Sequence, residues 1–152
     1  MNTVISSTGS LYLVVGYDGS APSTRALDAA VGLLRGRGGS IEVVYVGHMT
    51  TAEMMSADAI AEVEASLDEI AQELRAQAAK QLEGQAEHWT FGQAQGMITD
   101  ALIGEAEKVR EAHPGDYVAI VVGSSSQAMH RLVGSVAVGL ARHAPVPLLI
   151  VP

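Results

Sequence analysis

The stretch that most limits what this chain can become is Tyr117-Val118-Ala119-Ile120-Val121-Val122, six apolar residues in a row that stop at Gly123. A strand with one wet face alternates polar and apolar residues, and this run does not. It reads as a strand covered on both faces, as in a parallel sheet with helices on either side. Leu11-Tyr12-Leu13-Val14-Val15 and Leu148-Leu149-Ile150-Val151 repeat the pattern, the last within a final strand expected over Pro147 to Pro152.

Helical rhythm fills the intervals. Ala26, Leu27, Ala30, Val31 and Leu34 recur at three- and four-residue spacing, with Ser20 or Ser23 available as N-cap and Pro22 tolerated in the first turn. Ile41 to Val46 reads as the next strand. A long helix is expected from about Glu53 to Leu82, with Ile60, Val63, Leu67, Ile70 and Leu74 as its stripe. That stripe covers barely two heptads, which suits a helix lying on a sheet better than a coiled coil. Glu87 to Phe91 predicts a weaker strand, Gly92 to Gly96 a loop, and Ile98 to Val109 a helix stopped by His113-Pro114-Gly115. After Gly123 comes a Gly/Ser loop, then a helix over Val136 to Ala144 with Ser135 as its N-cap. Strands alternating with helices predict an α/β fold, a doubly wound parallel sheet joined by right-handed crossovers. Residues 1–10 read as a flexible leader and 11–152 as a single domain.

Charge and composition narrow the function. The net charge of −8 argues against nucleic acid or an anionic membrane surface as partner. No apolar run approaches a membrane span, and Met1 to Ser10 lacks the pattern of a secretory signal. With no cysteine there is neither a disulfide framework nor a thiolate metal site, so a cytoplasmic location is expected. All seventeen carboxylates precede Tyr117, whereas His130, Arg131, Arg142 and His143 follow it. The loop after Gly123 therefore lies where an anion meets no carboxylate nearby in the chain.

In doubly wound sheets ligands bind beyond the carboxyl ends of the strands, where the strand order reverses. Three loops qualify: Gly16 to Ser20, Val46-Gly47-His48, and Gly123 to Ser135. In the first, Asp18 can accept hydrogen bonds from ribose hydroxyls or serve as an ordinary Asp-Gly turn residue, and Tyr17 is its one aromatic. In the third, Gly123 permits close backbone approach, and Ser124, Ser125 and Ser126 offer donors. Gly134-Ser135 and the N–H of Val136 present a helix terminus to an anion. Arg131, beside His130, can pair with a phosphate as a fork or simply face water. The loop is not a Walker A motif, because Lys80 and Lys108 are the only lysines and lie on earlier helices. No paired-histidine spacing points to a metal, and no nucleophile elbow points to a hydrolase.

These residues resemble the universal stress protein family. The likeness rests on Val15-Gly16-Tyr17-Asp18-Gly19-Ser20, on Gly96 to Ile103, on Val121-Val122-Gly123 through Leu132-Val133-Gly134-Ser135-Val136, and on Ala144 to Val151. It covers nearly the whole chain from Leu11. The resemblance implies a five-stranded sheet in the order 3-2-1-4-5 and a homodimer paired through the last strand, 147–152. In one branch of the family it also implies ATP held by the loop after the fourth strand, with Mg²⁺ arriving on the nucleotide. Carried over residue by residue, Gly123 and Gly134-Ser135 match the ends of that branch's glycine motif. Asp18 matches the ribose-contacting aspartate, and Val46 the residue whose backbone meets adenine. Two departures stand out. Ser126 replaces the motif's second glycine, and seven residues rather than nine separate it from Gly134. The reading that follows is a cytoplasmic, homodimeric, nucleotide-binding regulator of the stress response. It would hold ATP, or AMP or cyclic AMP if the shorter loop is retuned, and would hydrolyse ATP slowly at most. The alternative is a dimer of the same fold that binds no nucleotide and works through protein contacts; a phosphoryl-transfer enzyme and a flavin carrier fit less well.

Overall fold

The structure, a computed structural model, describes residues 9–47, 56–124 and 134–152. Within these, β1 (Leu11–Gly16), α1 (Ala21–Leu34), β2 (Gly39–Gly47), α2 (Ala57–Leu82), β3 (Trp89–Gln95), α3 (Ile98–Ala112), β4 (Tyr117–Gly123), α4 (Ser135–His143) and β5 (Leu148–Val151) follow in turn. All strand pairs are parallel, and the sheet order is β3-β2-β1-β4-β5. Two of the three runs without alternation, β1 and β4, are neighbours inside the sheet, and the third, β5, is an edge strand.

Successive residues of a strand point to opposite faces, so each central strand feeds two cores. Leu13, Val15, Ile41, Val43 and Val121 pack under α1 and α2, against Leu27, Val31, Leu74 and Leu82. Val14, Val44, Val118, Ile120 and Val122 pack under α3 and α4, against Leu102, Ala106 and Leu140. The crossovers therefore wind one way from β1 toward β3 and the other way from β4 to β5. The reversal falls between β1 and β4.

Several boundaries differ from those expected. The weaker strand does not end at Phe91. Gly92 to Gln95, expected as loop, continue β3 in register with β2, from Ile41 opposite Trp89 to Gly47 opposite Gln95. Pairing with a well-formed neighbour overrides the poor strand propensity of Gly92 and Gln93. Ser135 is the first residue of α4 rather than its cap; Gly134 takes the N-cap position with extended backbone. The long helix begins at Ala57, where the Ser56 side chain accepts a hydrogen bond from the Ala59 N–H at 3.2 Å. Residues 53–55 lie outside the described residues. Ser20, not Ser23, caps α1. Among the described residues no helix is long and apolar enough to cross a membrane.

Candidate functional site

Above the reversal point, the carboxyl ends of β1, β2 and β4 and the first turns of α1, α3 and α4 enclose a cavity of about 430 Å³. Small-molecule sites typically occupy roughly 300–1,000 Å³. Its apolar wall is made by Val44, Val46, Ile98, Leu102, Val122, Val136 and Ala137; its polar wall by Asp18, Ser20, Ser23, Ser124 and Ser135. Gly16 creates part of this space, since a Cβ there would press on the Leu102 side chain at 3.2 Å. Asp18 is the only formally charged side chain among the described lining residues.

Of the three helix N-termini at the cavity, that of α3 reaches it only through Ile98 and Leu102 and, with Met97 as N-cap, has no side-chain cap; those of α1 and α4 differ. In α1, the Ser23 N–H donates to the Ser20 hydroxyl at 3.4 Å, the Thr24 N–H donates to the Ser20 carbonyl at 2.9 Å, and Pro22 has no N–H. That end is largely self-satisfied. In α4 the N-cap is glycine and no side chain caps the helix. Its first intrahelical bond is from the Val138 N–H to the Gly134 carbonyl at 3.1 Å. The amides of Ser135, Val136 and Ala137 are thus left without an intrahelical acceptor, at the positive end of the dipole and against the cavity. An anionic group is best accommodated there.

Backbone parity assigns the strand ends. In β2, the Val44 carbonyl accepts from the Tyr17 N–H at 2.9 Å, on the β1 side, while the Gly47 carbonyl accepts from the Gly96 N–H at 3.1 Å, on the β3 side. Val46 shares the parity of Val44, yet the β1 register ends with Gly16 opposite Val44. Its N–H and carbonyl therefore face the space beyond the end of β1, as an edge able to pair with a flat heterocycle. In β4, the Ser124 N–H donates to the Val151 carbonyl at 2.7 Å. That donor, expected to be free for a ligand, belongs to the sheet, and only the Ser124 hydroxyl remains available. Gly123 has the opposite parity and faces the cleft. There its missing Cβ is required by the chain itself, because any Cβ would overlap the Pro22 carbonyl group.

Asp18 is exposed, and its Oδ1 accepts from the Ser20 N–H at 2.9 Å. Partial burial pushes its carboxyl upward, but hydrogen bonds from the hydroxyl and N–H of Ser20 and from Ser23 outweigh it and hold the group below the usual carboxylate range. Tyr17 borders the cavity with its side chain buried in the α1/α2 core. Burial raises its phenol, a Thr24 hydrogen bond partly opposes this, and the charge of Asp18 adds to it. The structure thus brings Tyr17, Asp18, Val46, Gly123, Ser124, Gly134, Ser135 and Val136 to one cavity. Ser126, His130 and Arg131 lie outside the described residues. Sequence reasoning overlooked the apolar wall: Ile98 and Leu102, one turn apart at the start of α3, were legible only as core periodicity. It also saw Ser20 and Ser23 solely as caps.

A sequence model of the universal stress protein family matches residues 12–152. Among curated protein sequences none matches the chain significantly. Solved structures share the fold. The universal stress protein UspA from Lactobacillus plantarum superposes with a TM-score of 0.72 at 18% identity, over 95% of this chain and 99% of its own. A universal stress protein solved in complex with cAMP gives 0.65 at 24% identity, over 95% and 98%. The universal stress protein of Archaeoglobus fulgidus in complex with dAMP gives 0.57 at 18% identity, over 95% and 98%. With the family match spanning all but the first eleven residues, and the strand order and cavity as described, this chain belongs to the universal stress protein family.

Proposed function

We propose that this chain is a nucleotide-binding regulator of the stress response, taking an adenine nucleotide into the cleft between β1 and β4. One observation carries the reading: the uncapped N-terminus of α4 opens on the same apolar-walled cavity as the Asp18 carboxylate and the unpaired backbone edge at Val46. Phosphate suits the first, ribose hydroxyls the second, and the adenine edge the third. The complexes of related universal stress proteins with cAMP and dAMP support an adenine nucleotide as the ligand class.

In this reading Gly123, Gly134, Ser135 and Val136 cradle the phosphates, joined by the Ser124 hydroxyl and by Ser126, His130 and Arg131 of the loop. Tyr17 backs the ribose end from the core. ATP would bring Mg²⁺ on its phosphates, since no cluster of three metal-ligating side chains occurs among the described residues. The protein acts in the cytoplasm as a homodimer joined along β5, with slow ATP hydrolysis at most, and its net charge of −8 disfavours nucleic acid and anionic membranes as partners. The rival reading, a dimer that binds no nucleotide, draws support from the Ser124 N–H, which is held in the sheet.

Calorimetric titration with ATP and Mg²⁺, AMP and cyclic AMP tests this directly. Binding in the micromolar range is expected. Ser135→Glu should weaken it at least tenfold without loss of thermal stability, because a carboxylate in the first turn suits the helix dipole while repelling phosphate. No heat with any of the three, from folded protein freed of carried-over ligand, would overturn the proposal.

A further inference from the structure

Apart from the phenol of Tyr17, Ser23 is the only side chain with a polar group among the described residues that is buried, at 5% exposure. A buried hydroxyl is costly unless bonded, and alanine would fill its position in the α1 interface without that cost. The helix does not need it as a cap, because Ser20 has that role. Its bonds go instead to the loop that carries Asp18. The Ser23 Oγ accepts from the Asp18 N–H at 3.3 Å and donates to the Ser20 carbonyl at 3.0 Å, with the Ser20 Oγ at 3.4 Å. Its proximity also helps to hold the Asp18 carboxyl below its ordinary range, after burial and the stronger contribution of Ser20.

Asp18 needs such support. It is exposed, and Gly19 after it has a φ of 78°, a conformation that gives the turn no side-chain anchor of its own. With Oδ1 engaged by the Ser20 N–H, the other carboxylate oxygen is the one left to meet a ligand. Its direction is set by the backbone on either side, at the amide of Asp18 and the carbonyl of Ser20. Ser23 holds both.

We propose that Ser23 is the positioning residue of this site: it aims the Asp18 carboxylate at the sugar and so makes the cleft select nucleotides with ribose hydroxyls over those without. The inference rests on the nucleotide reading above and names a specificity within it. The ligand contact is made by Asp18, and Ser23 acts through it.

The test compares AMP with 2′,3′-dideoxy-AMP on the wild-type chain, Ser23→Ala, Asp18→Ala and the double variant. Wild type should prefer AMP. Ser23→Ala should weaken AMP roughly five- to tenfold, the scale of one hydrogen bond, and leave dideoxy-AMP within about twofold. In the Asp18→Ala background the same substitution should add nothing. Equal weakening of both ligands would make Ser23 a general structural residue and overturn the proposal. A second measurement needs no ligand: ¹³C NMR titration of the Asp18 carboxyl should show its midpoint moving upward in Ser23→Ala. An unmoved midpoint overturns the positioning role by itself. If wild type binds neither nucleotide, the nucleotide reading fails and ribose selection fails with it, whereas a moved midpoint would still establish that Ser23 governs Asp18.

Discussion

Gly123 shows how one position can look like ligand recognition and answer to packing. Its backbone faces the cleft, but the atoms that forbid a side chain there belong to Pro22, at the start of α1. Gly123→Ala would drive α1 away from β4. Overpacking of this kind costs about 1–3 kcal/mol, so the melting temperature should fall by several degrees, read by differential scanning calorimetry. Loss of nucleotide binding in such a variant would follow from a displaced helix, which makes Ser135→Glu the cleaner probe. The glycine and the serines around it were legible in the sequence as a loop able to hold an anion. What was not legible is that the Ser124 N–H is taken by Val151 and that Ser23 serves Asp18. Both depend on which way a backbone amide or hydroxyl points, and residue type alone does not carry that information.

Among the elements, α3 has an uneven partner beneath it. Glu42 lies half-buried in β2 between Val14 of β1 and Thr90 of β3, in the half of the sheet that α3 covers with Glu105 and Lys108. Burial first, then the hydrogen bond and charge of Glu105, push its carboxyl up to about 7, with Lys108 opposing. Lys108 is itself paired with Glu105 at 2.9 Å. The folded chain therefore keeps a proton that the unfolded chain, with an ordinary value of about 4.3, releases. This contribution is fully present below about 4.3 and is lost as pH rises through about 7. Glu42→Gln should accordingly melt higher than wild type at pH 8 by a few degrees, with the gap closing toward pH 5. A gap independent of pH would show that the carboxyl titrates normally. At this scale the sequence indicated every element, because strand and helix periods differ clearly in 11–34, 57–82 and 98–123. It misplaced the end of β3, where Gly92 and Gln93 contradict strand propensity and only the register with β2 explains them. It also placed the α4 cap one residue late, because serine is the commoner cap and Gly134 takes the position by its backbone alone.

For the whole molecule, β5 is one of the sheet's two edge strands, opposite β3. Leu149 is 37% exposed on a strand whose neighbours Leu148 and Ile150 pack against the core. An uncovered apolar edge invites pairing with another. If the proposed dimer forms there, Leu149→Arg should yield a monomer by sedimentation velocity while retaining a cooperative melt; an unchanged dimer would place the interface elsewhere. The order 3-2-1-4-5 was legible through the resemblance; the unbroken apolar runs of β1 and β4 fit their inner places, but β5 has the same pattern and lies at an edge.

The hydrogen bond from the Ser124 N–H to the Val151 carbonyl gives this edge a further meaning. The first residue after β4 and the last residue of the outer strand are fastened to each other, while the Arg25 side chain of α1 donates to the main-chain oxygen of Pro152 at 3.0 Å. If pairing along β5 stiffens this joint, the two equilibria are thermodynamically reciprocal: whatever factor dimerisation adds to nucleotide affinity, the nucleotide must return to dimerisation. An affinity for this chain would then have a definite value only at a stated protein concentration.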